Sequence, residues 1–295
     1  MKGESELLRI LVTGAYGMLG TALLPVLQER HQVWGVGSQE CDIRRANAVA
    51  EVFEAHRPEL VFHLAAYTDV DGCEADPQLA DETNSLGTRN VAIASAAVGA
   101  TLVYVSTDYV FDGSKSGAYV EDDLPNPINV YGRSKLLGEQ HVGALLKRYF
   151  IVRTSWLFGP KGQNFVTTIL KAARQQSVIR VVDDQYGSPT YTRHLAITLA
   201  ELMKSGVHGI YHMTGSGACS RFEFAKSILD LRPVEGVEVL PISSLESGRA
   251  ARRPANSVLE SRALAEVNLK PMPHWRGALA EYLYEIGRSG RESET

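Results

Sequence analysis

The chain is expected to fold as an α/β protein on a doubly wound parallel sheet, with a smaller α/β lobe built mainly from its second half. Three observations carry this expectation. Short β-branched and aromatic runs alternate with helix-spaced segments along the first half, which implies right-handed crossovers and a parallel sheet covered on both faces. A glycine-spaced turn, Gly14-Ala-Tyr-Gly17-Met-Leu-Gly20, joins the first run to the first helix. Tyr131 and Lys135 stand four residues apart beyond a later run, at a spacing that puts both side chains on one helix face.

Taken in order, Leu8-Arg-Ile-Leu-Val-Thr13 is the first strand, and the segment from Thr21 to Gln28 has helical apolar spacing. Residues 31–36 form the second strand, followed by a helix-like stretch from Arg44 to His56. Residues 60–64 form the third strand, a helix follows near Ala80–Val98, and residues 101–105 form the fourth. Pro127 precedes a further helix that carries Tyr131, and Tyr149-Phe-Ile-Val-Arg153 is the fifth strand. Ligands of such sheets collect at the carboxyl ends of the strands. Residues 14–20, 65–68, 106–108 and 153–156 all follow predicted strands, so four candidate sites fall on one edge.

The second half is less regular. A helix from about Phe165 to Arg174 leads to the strand-like run Val178-Ile-Arg-Val-Val182 and then to the turn-rich Asp183–Thr190. A helix near His194–Lys204 and a strand near Gly209–His212 read as returns to the main sheet. Further helices are expected over Phe222–Leu229 and Trp275–Ile286, and the tail from Gly287 to Thr295 is expected to fray. No repeat, low-complexity tract or linker marks a separable domain.

Composition narrows the function classes. With 295 residues, 44% of them hydrophobic, the chain can bury a large core. No apolar run approaches the roughly 20 residues of a membrane span, and the start, Met1-Lys-Gly-Glu-Ser-Glu, lacks the apolar centre of a signal peptide. Cys41, Cys73 and Cys219 have neither metal spacing nor an even framework, which points to a reducing cytoplasm. A net charge of −4 offers no basic footprint for nucleic acid. An anionic ligand is therefore held by local dipoles and a few cations.

The glycine turn supplies such dipoles. Glycine tolerates positive φ and close backbone approach, and the following helix N-terminus adds partial positive charge, which together suit a pyrophosphate. The spacing G-x-x-G-x-x-G differs from the common G-x-G-x-x-G dinucleotide fingerprint. At the other motif, the Lys135 cation beside the Tyr131 phenol is expected to lower the phenol's pKa from about 10, as a proton-donating tyrosine requires. Either Ser106 or Thr107 qualifies by type as a hydroxyl that bonds the reacting oxygen. His63, at the end of the third strand, reads as structural.

Gly14-x-x-Gly17-x-x-Gly20 with Tyr131-x-x-x-Lys135 resembles the extended short-chain dehydrogenase/reductase family. The likeness extends through His63-Leu-Ala-Ala-Tyr-Thr-Asp-Val70, Ser106-Thr-Asp-Tyr-Val-Phe-Asp-Gly113 and Asn129-Val-Tyr-Gly-Arg-Ser-Lys-Leu136. It continues in Arg153-Thr-Ser-Trp156, Asp184-Gln-Tyr-Gly-Ser-Pro-Thr190 and Arg253-Pro-x-x-Ser257, in the order of the family's branch that reduces keto sugar nucleotides. The resemblance implies a Rossmann-like dinucleotide-binding domain over 1–157, rejoined by about 191–213, and a substrate lobe mainly over 158–295. It implies hydride transfer from a reduced nicotinamide to the C4 ketone of a 4-keto-6-deoxy nucleotide sugar, with Tyr131 as proton donor, Lys135 stabilising the phenolate and bonding the nicotinamide ribose, and Thr107 rather than Ser106 on the carbonyl oxygen.

For the cofactor, the resemblance assigns Gly14, Gly17, Met18, Leu19 and Gly20 to the pyrophosphate turn, Asp42 and Ile43 to the adenine, and Ala66, Tyr67 and Thr68 to the riboses. A competing reading makes Asp42 a helix N-cap. The second strand ends in Gly35-Val-Gly-Ser38, without the acid that binds a ribose 2′-hydroxyl, so NADPH is favoured and NADH remains a second option. For the nucleotide-sugar substrate, it assigns Thr107, Asp108, Tyr131 and Trp156, with Tyr109 and Asn164 as weaker candidates. Some members form metal-bridged dimers through acidic residues. Those acids do not map onto this chain, so no metal is assigned, and a homodimer is the assembly the resemblance admits. Two alternatives stay open: a reductase of another 4-keto-6-deoxy nucleotide sugar, and a regulatory protein like the beta subunit of methionine adenosyltransferase, which resembles the same family.

Overall fold

The computed structural model describes residues 7–292. Six parallel strands make the main sheet: β1 (Arg9–Thr13), β2 (Gln32–Val36), β3 (Leu60–His63), β4 (Thr101–Thr107), β5 (Tyr149–Thr154) and a late strand, Gly209–His212. Their spatial order is β2, β1, β3, β4, β5, then Gly209–His212, with every neighbouring pair parallel. The chain winds outward from β1 to β2, then crosses back over β1 to β3. That reversal opens a crevice at the carboxyl ends of β1 and β3, the usual ligand position in open α/β sheets.

The helices are α1 (Met18–Gln28), α2 (Ala46–His56), α3 (Val70–Ala75), α4 (Pro77–Ala80), α5 (Gly87–Val98), α6 (Val130–Leu145), α7 (Phe165–Ala173), α8 (Thr192–Leu202), α9 (Arg221–Leu231), α10 (Ala263–Glu266) and α11 (Trp275–Glu292). Period-two alternation along the strands decides which helices cover which face. Ile10 and Val12 of β1 join Phe62 and Val103 under Leu19, Leu23 and Leu27 of α1 and Leu195, Leu199 and Leu202 of α8. Leu11, between them, turns the other way and meets Val61, Leu102 and Ile151 beneath Val49 and Phe53 of α2, Val91 of α5 and Val142 of α6. Each such fully buried aliphatic or aromatic side chain contributes about 1.5–3 kcal/mol.

The second half has its own core, in which Phe158, Val166, Ile179, Phe224, Trp275 and Tyr282 meet. Its two-stranded sheet pairs Val178–Val182 with Glu238–Ile242 in parallel.

Three expectations are corrected. The helix near Ala80–Val98 runs in sections: α4, a π-helical segment over Asp81–Leu86, and α5. Within the π segment the Asn84 side chain bonds both the N–H and the C=O of Tyr67, at 2.8 and 2.9 Å, and the Ser134 hydroxyl at 3.0 Å. Those tertiary bonds accompany the departure from regular α spacing, as π turns at functional sites often do. The helix expected from Arg44 starts at Ala46, because residues 42–45 form a turn closed by the Arg45 N–H on the Asp42 carbonyl at 2.9 Å. The tail from Gly287 does not fray at once: α11 continues to Glu292, its apolar face buried through Leu279, Tyr282 and Leu283. Residues 293–295 of that tail lie outside the described residues.

Candidate active site

A cavity of about 800 Å³ lies along the carboxyl edge of the main sheet. It is lined by Gly14, Gly17, Met18, Leu19 and Gly20 after β1, Asp42 and Ile43 after β2, and Ala66, Tyr67 and Thr68 after β3. Thr107 at the end of β4, Asp108 beyond it, Tyr131 and Lys135 on α6, and Trp156 after β5 also line it. The structure therefore brings to one cavity the residues assigned to the cofactor, to catalysis and to the substrate, and Tyr109 with them. Asn164, the weaker candidate, serves elsewhere: it caps α7, accepting from the Thr167 N–H at 3.1 Å and donating to the Gly159 carbonyl at 2.9 Å.

At the glycine turn, Gly14 has φ +67° and presses on β3 so closely that a Cβ would lie 2.6 Å from the Ala65 nitrogen. Gly17 caps α1 without any side-chain hydrogen bond, so among the described residues no side chain satisfies the first N–H groups of this 11-residue helix. The turn fits a dinucleotide pyrophosphate, which those groups and the helix dipole would bind. At the end of β2 the cavity is bordered by Gly37, Ser38 and Arg44 and by no acid from that strand. Asp42 accepts the Arg44 N–H at 3.1 Å and the Arg44 guanidinium at 2.9 and 2.8 Å. The Arg44 side chain holds this carboxyl below the usual carboxylate range, and α2 is capped by Arg45, so Asp42 is no N-cap.

The catalytic candidates rest on α6. Asn129 caps that helix by accepting the Gly132 N–H at 2.7 Å. Gly132 then lets α6 press on the preceding loop, since a Cβ there would lie 2.0 Å from the Tyr109 carbonyl oxygen. The Tyr131 ring meets Tyr109 edge-on at 6.0 Å. Lys135 is buried, donates to the Val105 carbonyl at 2.8 Å and lies over the Tyr104 ring at 4.2 Å.

Electrostatics here differ from the expectation for the Tyr131–Lys135 pair. Burial raises the Tyr131 phenol well above its ordinary range, opposed mainly by the nearby Thr107 hydroxyl. Burial also lowers Lys135 to about 7, with Glu139 opposing. The dry surroundings dominate at both side chains, so Tyr131 is a protonated phenol at neutral pH.

The two hydroxyl residues that end β4 have different partners. Ser106 donates to Glu139 at 2.6 Å, and Glu139 also receives Arg153 through two bonds of 3.0 and 2.7 Å in a fully buried pair. Thr107, which lines the cavity as Ser106 does, donates to Asp108 at 3.0 Å. Asp108 is buried, which raises its carboxyl to about 6 against the nearby hydroxyls of Ser257 and Thr107, and its Oδ2 has no hydrogen-bond partner among the described residues. An unpartnered buried carboxylate oxygen beside a cavity suits a sugar hydroxyl. His63 is a structural residue: Thr13 and Thr88 flank its ring at 2.7 and 3.1 Å, and burial lowers it to about 3.

Trp156 adopts φ +47°, uncommon for a residue with a side chain. One side of its indole is filled at Gly187, where a Cβ would lie 2.4 Å from the ring. Against the ring also lies Arg221, its guanidinium carbon 3.5 Å from the ring centroid. Sequence reasoning missed both Arg221 and Asn84. Arg221 opens α9 behind a Ser220-x-x-Glu223 capping box, which marks a helix start and says nothing of a cation in a cavity. Asn84 sits mid-helix with no local signal at all.

The model of the RmlD substrate binding domain family matches residues 8–288 of this chain. The chain is 41% identical over 291 residues to the dTDP-4-dehydrorhamnose reductase of Streptomyces griseus, covering 96% of each protein. It is 41% identical over 278 residues to the spore coat polysaccharide biosynthesis protein SpsK of Bacillus subtilis, covering 94% of this chain and 97% of that one. Among solved structures, it is similar to the dTDP-4-dehydrorhamnose reductase of Bacillus anthracis in complex with NADP, with a TM-score of 0.92 and 42% identity over 95% of this chain and all of the other.

Proposed function

This chain belongs to the RmlD substrate-binding domain family, and from that premise we propose that it reduces the C4 ketone of dTDP-4-dehydro-L-rhamnose to give dTDP-L-rhamnose. It is an oxidoreductase, its cofactor is NADPH, and NADH is the second candidate donor. The observation that carries the reading is the convergence of Thr107, Tyr131 and Lys135 on the cavity that also contains the glycine turn.

NADPH, when bound, supplies the hydride. The chain's own residues then have three tasks. The N–H groups at the start of α1 hold the pyrophosphate, with Asp42, Ile43, Ala66, Tyr67 and Thr68 along the rest of the dinucleotide. Thr107 holds the carbonyl oxygen beside the Tyr131 hydroxyl, and Tyr131 gives that oxygen a proton as negative charge develops on it, a general-acid contribution of roughly 10²–10⁴-fold. Burial suits Tyr131 to the role by keeping it protonated at neutral pH. Lys135 stabilises the phenolate that remains, in a site dry enough to strengthen the attraction. Asp108 and Trp156 bind the sugar nucleotide. On this reading residues 1–157 with about 191–213 serve the cofactor, and 158–295 mainly serve the substrate.

The proton-donor assignment is tested with Tyr131→Phe. We expect kcat to fall by about 10²-fold or more while NADPH affinity is retained. Unchanged turnover would remove Tyr131 from the mechanism.

A further inference from the structure

We infer that Arg221 is the residue that takes the phosphate charge of the substrate's nucleoside diphosphate, and that the same guanidinium holds Trp156 in its place. The inference rests on the nucleotide-sugar reading above and names a residue for it that the sequence motifs do not contain.

Charge within the cavity carries the first step. Three cations line it: Arg44, Lys135 and Arg221. Arg44 is paired with Asp42 at 2.8 Å. Lys135 belongs to the catalytic group and is bound to the Val105 carbonyl. Arg221, partly buried, forms no ion pair with any carboxylate among the described residues. Asp108 attracts it electrostatically from beyond ion-pair distance. Cations withdrawn from water are normally paired, so a guanidinium left without a carboxylate beside a cavity is suited to an anion that enters it.

Its neighbours strengthen that reading. The Tyr109 hydroxyl lies within electrostatic reach of both Arg221 and Arg253. Arg253 is already matched by Asp71, through bonds of 2.7 and 2.8 Å. The group therefore carries positive charge that Arg221 alone presents to the cavity. Tyr109 in turn packs edge-on against Tyr131, so Arg221 lies one aromatic ring away from the proton donor. In a nucleotide sugar the diphosphate joins the sugar at C1, across the ring from the C4 that reacts. A guanidinium fork matches phosphate geometry in a way an ammonium does not.

Arg221 also bears on Trp156. Its indole is bounded at Gly187, and Arg221 lies against it at 3.5 Å while reaching Phe165 at 5.2 Å. The indole face attracts a cation through the ring quadrupole, which helps hold this side chain on a φ +47° backbone.

The test uses the full chain loaded with NADPH, with Arg221→Met and Arg221→Lys, and titrates dTDP and thymidine separately. We expect Arg221→Met to weaken dTDP binding by about tenfold or more, the usual effect of losing a charged hydrogen bond. Thymidine and NADPH affinities should stay within about twofold, and Arg221→Lys should recover part of the dTDP affinity, since it keeps the charge without the planar fork. With the keto sugar, the KM should rise while kcat changes little, the signature of lost uniform binding. Wild-type dTDP affinity in Arg221→Met would overturn the inference, as would an equal loss of thymidine, NADPH and dTDP binding, which marks a structural defect. If wild-type protein binds dTDP through Arg221 yet reduces no keto sugar, the inference stands and the reductase reading falls. If wild-type protein binds no nucleoside diphosphate, both fall.

Discussion

Lys135 is the side chain through which pH acts on this site. Its folded pKa of about 7 lies far below the ordinary lysine value because burial penalises the ammonium. A base depressed on folding contributes stability that is present above the unfolded pKa and lost as pH falls through the folded one. Unliganded protein should therefore gain stability from this group between about pH 7 and 10, and Lys135→Met should flatten that rise in urea titrations. Asp108 works in the opposite sense and in another window. Its folded pKa of about 6 is raised, so its contribution is present below about pH 4 and lost by about pH 6. NADPH affinity should weaken above pH 7 as the Lys135 ammonium disappears, and a pH-independent affinity would contradict the role given to Lys135. The Tyr131–Lys135 pair was legible as a motif. The direction of its electrostatics was not, because burial depends on Val105, Tyr104 and Tyr109, which no local spacing brings to mind.

Among the elements, α6 does the most to assemble the site. Its N-cap Asn129 also donates to the Arg252 carbonyl at 2.8 Å, so one side chain fixes both the helix start and a loop more than a hundred residues away. Gly132 follows because α6 approaches the Tyr109 carbonyl too closely for a Cβ. Gly132→Ala must push the helix back against backbone, and we expect a loss of about 1–3 kcal/mol from overpacking, with kcat falling through displacement of Tyr131. A variant as stable and active as the parent would show that α6 has room to move. Farther along, Glu139 binds Ser106 and Arg153, tying α6 to β4 and β5 in the dry interior. Strands and long helices were readable from periodicity. The π segment at Asn84 was not, since it accompanies bonds to Tyr67 and Ser134 that exist only in the folded chain.

Across the whole molecule, the sheet and the second half are joined near the site by ion pairs of long sequence separation. Asp71 of α3 receives Arg253 in two bonds, and the Ala251 N–H at 3.0 Å. The Arg253 side chain holds the Asp71 carboxyl well below the usual range. Such a depressed acid contributes stability that is present above about pH 4 and is lost as pH falls below it. Asp71→Asn should therefore destabilise the protein at pH 7 and narrow its difference from wild type in acid, as thermal unfolding at both pH values can show. The doubly wound order followed from alternating runs, and the shared cavity followed from the rule that ligands gather at strand ends. The small strand pairs that frame Trp156 were invisible, because two-residue strands such as Tyr186–Gly187 and Cys219–Ser220 have no periodicity to read. The measurement to make first is NADPH oxidation by purified protein with dTDP-4-dehydro-L-rhamnose generated in place, and the product identified. Rapid oxidation with formation of dTDP-L-rhamnose is the expected result. Protein that binds NADPH but neither oxidises it nor forms that product would contradict the assignment.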